Sequence, residues 1–131
     1  MIVIDSSVWI ANLRGLDNDS VRKLRAIVDD DDDQILVGDL ILLEVLHGVR
    51  GEANAARIER NLRTYQVETM CDATIAAQAA RNYRSLRERG ITVRKPIDMI
   101  IGTFCVAGSH GLLHDDRNFD PMAVHLGLRV V

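Results

Sequence analysis

The sequence is poor in cysteine and has no long hydrophobic run. Its two cysteines, Cys71 and Cys105, show neither a CxxC spacing nor a neighbouring histidine pair, so they indicate no zinc site and no disulfide framework. We expect both to be buried thiols. No apolar stretch approaches the roughly 18 residues that a membrane helix needs, and the opening MIVIDSSVWI lacks a basic leader and a signal-peptide core. These absences predict a cytoplasmic protein without a membrane span.

Lysine is also scarce. Lys23 and Lys95 are the only two, and the net charge is -3 at pH 7. The positive charge is almost entirely arginine, whose planar guanidinium suits phosphate groups, although a solvated helix face is the commoner role for any one arginine. Arg84 and Arg87 are our candidates for phosphate contacts. The arginines concentrate in two stretches, Arg57, Arg60 and Arg63, and then Arg81, Arg84, Arg87, Arg89 and Arg94.

A chain of 131 residues has the size of one domain, so we expect residues 1–131 to share one core. Short apolar segments alternate with segments of helical periodicity, which predicts an α/β fold, an α/β/α sandwich around a mostly parallel sheet of about five short strands. Strands are expected at 2–4, 35–37, around 67, 112–113 and 128–131. The first helix is expected from residue 6 or 7 to about residue 15. Further helices are expected at 19–28, 39–48, 53–62, 72–90, 96–109 and 119–126.

Residues 29–33 are five consecutive aspartates. Negative charge at the C-terminal end of a helix opposes the helix dipole, so we expect the run to end its helix and form a solvated loop. Its mutually repelling carboxylates are a poor candidate for a metal site. A serine, Ser6 or Ser7, is the expected N-cap of the first helix.

Four acidic residues stand out from the rest. Asp5 follows the first strand and Asp116 follows the fourth, and ligands of parallel α/β sheets bind beyond the carboxyl ends of strands. Glu44 lies among leucines, where an unpaired carboxylate is costly to bury, and Asp98 lies in the first turn of a helix. If the four converge, a divalent cation would neutralise them, because Mg²⁺ and Mn²⁺ prefer oxygen ligands. Taken singly, the aspartates could equally cap helices or shape turns.

Four segments carry these acids in order: IVIDSSVWI, LLEVLHG, PIDMIIG and LLHDDRNF. Together they resemble the PIN-domain ribonucleases and, within that family, the VapC-type toxins of toxin–antitoxin pairs. The resemblance covers nearly the whole chain. It implies that Asp5, Glu44, Asp98 and Asp116 are the catalytic, metal-binding acids and that Ser7 is the small hydroxyl residue beside the first of them.

The sequence departs from the family pattern at a few positions. Asn118 stands where many members have another aspartate, and Asp115 is an additional neighbour of Asp116. Gly102 replaces a common alanine, and Asp39 replaces a frequent serine or threonine. Whether Asp115 or Asn118 joins the metal site is left open at this point.

The resemblance implies a metal-dependent endoribonuclease using Mg²⁺ or Mn²⁺, which would activate a water for attack on an RNA phosphodiester. It also implies a VapB-like antitoxin partner and a homodimer, for which the early helices, including Trp9, are candidate surfaces. Arg84 and Arg87 would then contact RNA. Among the four histidines, His114, two residues before Asp116, is the only one that we expect near the site.

Three other classes of protein share part of this pattern. A receiver-type signalling domain would need an acidic pair after the first strand and a lysine near the last one, and neither is present. A haloacid-dehalogenase-like phosphatase would need an aspartate where Ser7 stands. A catalytically silent PIN domain that acts as a binding module would have little use for four matched acids.

Overall fold

Five short strands and seven helices alternate along the chain in a computed structural model that describes residues 1–131. The strands are β1 (Ile2–Ile4), β2 (Ile35–Gly38), β3 (Gln66–Glu68), β4 (Gly111–Leu113) and β5 (Arg129–Val130). The helices are α1 (Ser6–Leu13), α2 (Asp19–Asp31), α3 (Asp39–His47), α4 (Glu52–Leu62), α5 (Ala73–Glu88), α6 (Pro96–Ala107) and α7 (Asp120–His125). Two short 3-10 turns cover Asp32–Gln34 and Arg117–Phe119.

All five strands are parallel and lie in the order β3-β2-β1-β4-β5. Ile2 pairs with Ile35 on one side and with Gly111 on the other. Every residue of β2 and β4 is buried, as expected for a parallel sheet that helices cover on both faces. The predicted α/β sandwich and its five strands are confirmed. The strand order reverses beside β1, and such a reversal opens a crevice at the carboxyl edge of the sheet.

The residues at helix starts explain where the helices begin. The Asp5 side chain, rather than a serine, caps α1 by accepting from the backbone N–H of Ser7, so the predicted serine cap is wrong. Asp72 caps α5 as predicted, and Pro96 occupies the first turn of α6, where its missing N–H costs nothing. Asp39 does not cap α3. Its Oδ1 instead accepts from Met70 N at 3.0 Å, which ties the start of α3 to the segment before α5.

Two further expectations are corrected by the structure. Helix α2 continues through Asp31, and a 3-10 turn follows, so the aspartate run is not a loop. Local hydrogen bonds stabilise the turn that ends this run: Asp31 accepts from Asp33 N and from Gln34 Nε2. Of the two cysteines, Cys105 is buried as expected, but Cys71 is exposed.

One contiguous apolar core runs between the sheet and its helices. Trp9 belongs to it and is only 7% exposed, so it offers little surface to a second subunit. No helix in the structure combines the length and the apolar character needed to cross a bilayer.

Candidate active site

Asp5 lies at the carboxyl end of the central strand and is 3% exposed. Its backbone N–H donates to Leu113 O at 2.9 Å, which keeps the chain in the sheet up to this residue. Its Oδ2 accepts from both the backbone N–H and the hydroxyl of Ser7. Its Oδ1 is buried and has no hydrogen-bond partner. One carboxylate oxygen is therefore fixed, and the other is buried without a hydrogen-bond partner.

Glu44 reaches the same region from the middle of α3. Its Oε1 accepts from the hydroxyl of Ser6 at 3.1 Å. Because Ser6 follows Asp5 directly, this hydrogen bond brings the carboxylate from α3 to the end of β1. Glu44 is half-buried, and Ile41 and Val45 on either side of it in α3 are buried in the core.

Asp98 and Asp116 are joined through Asn118. Asp98, in the first turn of α6, is 3% exposed, and its Oδ2 accepts from Asn118 Nδ2 at 2.9 Å. Asp116 Oδ1 accepts from Asn118 N at 2.9 Å and thereby caps the 3-10 turn after β4. Asp116 N donates in turn to His114 Nδ1 at 3.2 Å. The segment after β4 is thus held against the start of α6.

The electrostatics show that the four acids are neighbours. Burial raises the pKa of Asp5, and the charge of Asp116 raises it further against the opposing hydrogen bonds from Ser7. Burial likewise raises the pKa of Glu44, with the charges of Asp5 and Asp98 adding to the effect. The pKa of Asp98 is raised first by burial and then by Asp116 and Asp5, while its hydrogen bond from Asn118 acts in the opposite direction. Each acid is therefore within electrostatic reach of others.

This donor set fits a hard divalent cation. Carboxylate oxygens are the ligands that Mg²⁺ and Mn²⁺ prefer, and the unpaired, buried Oδ1 of Asp5 is costly to bury unless positive charge is supplied nearby. No three Asp, Glu, His or Cys side chains are gathered into a ready ligand set. The acids are thus neighbours without forming a closed cage, an arrangement compatible with an ion that keeps several waters.

The other predicted residues fall into three places. Ser7 links the two sides of the crevice, since its hydroxyl contacts Asp5 and accepts from Asp115 N at 3.2 Å. The Asp115 side chain itself is exposed. Arg84 and Arg87 lie apart from the acids, in a groove between α5 and α6.

Sequence reasoning missed two residues of this region. Ser6 was considered only as a helix cap, although it donates to Glu44. The sequence shows Lys95 only as one of two lysines, yet its charge opposes the rise in the pKa of both Glu44 and Asp98. The signal for Lys95 was its position three residues before Asp98. For Ser6 there was none, because its partner is 38 residues away.

Comparisons with known proteins identify the family and support the fold. Residues 2–124 match the model of the PIN domain family. The chain is 27% identical over 123 residues to VapC ribonuclease Mb1587 of Mycobacterium bovis, covering 94% of this chain and 92% of that protein. The fold matches VapBC2 from Rickettsia felis, solved bound to a DNA fragment from their promoter, with a TM-score of 0.74 at 12% identity over 100% of this chain and 98% of that one. It also matches a toxin–antitoxin complex from Klebsiella pneumoniae, with a TM-score of 0.72 at 18% identity over 100% and 96%.

The family match spans almost the whole chain and confirms the family that the four sequence segments predicted. It decides against the receiver-type and phosphatase alternatives. The chain belongs to the PIN domain family.

Proposed function

We propose that this protein is a metal-dependent endoribonuclease toxin that hydrolyses RNA phosphodiester bonds and is neutralised by a VapB-like antitoxin. The proposal is supported by one observation: in this PIN domain the buried Asp5 lies within electrostatic reach of Glu44, Asp98 and Asp116, and one of its carboxylate oxygens has no hydrogen-bond partner. A ribonuclease activity is named for its 27% identical relative.

In this proposal the four acids hold the cation. Mg²⁺ or Mn²⁺, when bound, supplies positive charge to offset the developing negative charge on the phosphate, and makes a water more acidic. The protein's own part is orientation. Ser7 fixes one oxygen of Asp5, Ser6 holds Glu44, and Asn118 holds Asp98.

Hydrolysis by water, rather than attack by the neighbouring 2′-hydroxyl, would leave 5′-phosphate and 3′-hydroxyl ends. Attack by the 2′-hydroxyl would need general acid–base catalysis, and no pair of histidines near the acids offers it. His114 is next to the site, but its Nδ1 is used to accept from Asp116 N, and its ring packs on Phe119 at 5.0 Å. Single-stranded or looped RNA is the proposed substrate, since a flexible strand bends into a carboxylate crevice more easily than a rigid duplex does.

The same comparisons support an antitoxin as the partner. The structural relatives include toxin–antitoxin complexes, and a crevice with four carboxylates attracts a cationic side chain as readily as a metal ion. A VapB-like antitoxin that inserts an arginine or lysine there would compete with Mg²⁺. A homodimer remains a prediction of the family resemblance.

The test is cleavage of total cellular RNA by purified protein in Mg²⁺, in Mn²⁺ and in EDTA, with Asp116→Asn as the inactive control. We expect cleavage only with a divalent cation, and products whose 5′ ends are ligatable without added phosphate. Cleavage that persists in EDTA, or in Asp116→Asn at the wild-type rate, would contradict the proposal.

A further inference from the structure

A groove of about 510 Å³ runs between α5 and α6, away from the unpaired oxygen of Asp5. Its walls are mainly apolar and include Ala80, Pro96 and Met99, while Arg84 and Arg87 stand at its edge. No acidic side chain lines it. The groove is therefore a positively charged surface on a protein whose net charge is -3.

The two arginines are available to a ligand. Both are exposed, and neither forms an ion pair, since the ion pairs in the structure involve only Arg22 and Arg63. The guanidinium of Arg87 lies over the ring of Tyr83, with Cζ 5.6 Å from the ring centroid. Stacking of this kind orients a guanidinium while leaving its N–H donors free.

The groove adjoins the acidic site through one turn of helix. Pro96 and Met99 line the groove, and Asp98 lies between them in the first turn of α6. Lys95 precedes this turn and acts electrostatically on Asp98. The first turn of α6 therefore connects the groove to the acidic site.

We propose that this groove, the α5–α6 groove, binds the segment of single-stranded RNA next to the cleaved phosphodiester. Arg84 and Arg87 would contact phosphates, and the apolar wall would receive a base. The inference rests on the proposed ribonuclease function. Charge selects this occupant: Arg84 and Arg87 form no ion pair and no acidic side chain lines the groove, so a polyanionic strand is complementary to it.

The first measurement is RNA affinity without cleavage. A fluorescein-labelled single-stranded RNA of mixed sequence is titrated with protein in EDTA, and its anisotropy is followed at several salt concentrations. Arg84→Ala with Arg87→Ala should raise Kd about 10-fold and reduce the salt slope by roughly 1.4, since each phosphate contact on a single strand contributes about 0.7. Arg84→Lys with Arg87→Lys should retain most of the salt slope.

The matched control is Arg57→Ala with Arg60→Ala on α4. Both residues are exposed arginines, and the pair removes the same net charge. A general loss of positive charge would weaken RNA binding equally in the two double variants. We expect the control to bind within about twofold of wild type.

The second measurement locates the RNA directly. Cys71 is exposed and lines the α5–α6 groove, whereas Cys105 is buried, so N-ethylmaleimide should modify Cys71 selectively. RNA should slow this alkylation in the wild type and in the α4 control, and should not slow it in Arg84→Ala with Arg87→Ala. The modified fraction is read by mass spectrometry of the intact protein.

Two outcomes overturn the inference. One is equal RNA affinity and equal salt slope in both double variants, without protection of Cys71. The other is a wild-type dimer, seen by light scattering, that Arg84→Ala with Arg87→Ala dissociates at unchanged RNA affinity, since the groove would then join two copies. If the wild type cleaves RNA with Mg²⁺ in either case, only the groove assignment fails. A wild type that neither binds nor cleaves RNA would contradict the proposed function itself.

Discussion

Asn118 holds Asp98 from a position 20 residues further along the chain: its Nδ2 donates to Asp98 Oδ2 at 2.9 Å. The backbone N–H of the same residue donates to Asp116 Oδ1, also at 2.9 Å. A neutral amide therefore joins two acids at a position where a further carboxylate would add to their repulsion. Asn118 therefore contacts both acids as a hydrogen-bond donor.

Replacing Asn118 should impair cleavage by freeing Asp98. We expect Asn118→Ala to lower the cleavage rate by about 10- to 100-fold, the usual effect of removing a residue that orients a metal ligand, and to weaken Mn²⁺ binding measured by calorimetry. Asn82→Ala is the matched control, since Asn82 makes a comparable hydrogen bond to Thr103 between α5 and α6. That variant should lose about 1 kcal/mol of stability and keep its activity. Equal activity of the two variants would contradict the role of Asn118.

The four acids should each be needed for cleavage. Asp5→Asn, Glu44→Gln, Asp98→Asn and Asp116→Asn keep the shape of the side chain and remove one charge that binds the cation, so we expect rates to fall roughly 100-fold or more. The fold should persist, because an asparagine at position 5 can still cap α1. Rates are measured on a fluorescent RNA, and folding by circular dichroism. A folded variant with wild-type activity would remove its residue from the site.

Asp115 and Asp116 are adjacent in sequence but differ in their surroundings. The Asp115 side chain is exposed, and the residue contacts the site only through its backbone N–H, whereas Asp116 is half-buried and caps the turn that carries Asn118. We expect Asp115→Asn to cleave within about threefold of wild type under conditions where Asp116→Asn is inactive, the smaller effect being typical of an exposed substitution. The same RNA assay compares them, and the reverse order would mean that Asp115 is the functional aspartate.

The sequence was sufficient to predict the strands and the acids at their ends. An apolar run, Ile2 to Ile4, stops at Asp5. Such runs predict strands reliably because a strand that is buried on both faces of a sheet needs consecutive apolar residues. The aspartate run was mispredicted for an energetic reason. An unfavourable charge at a helix end costs only about 0.3–1 kcal/mol when exposed, which did not prevent α2 from continuing to Asp31.

Contacts between distant segments could not be predicted in the same way. The hydrogen bond from Ser6 to Glu44 depends on α3 packing beside α1, and the position of Lys95 depends on how α6 approaches the sheet. Both are products of tertiary packing, which local periodicity does not specify. The contact between Ser6 and Glu44 is therefore visible only in the structure, whereas the acids, Ser7 and Asn118 stand out in the sequence.

The metal-free protein should be destabilised by its own acids as the pH rises. The pKa values of Asp5, Glu44 and Asp98 are raised above their ordinary values of 3.8, 4.5 and 3.8, chiefly by burial. Their stabilising contribution is therefore complete below those ordinary values and is lost as the pH rises through the higher values of the folded state. In EDTA, Asp5→Asn should show little gain in Tm over wild type near pH 4 and a larger gain at pH 7. Asp115→Asn, which removes an exposed charge, should have the Tm of wild type at both pH values.

Adding Mg²⁺ at pH 7 should raise the Tm of wild type more than that of Asp5→Asn, because a ligand stabilises only the folded state that binds it. If the difference in Tm between Asp5→Asn and wild type does not change with pH, then ionisation of Asp5 does not destabilise the metal-free protein.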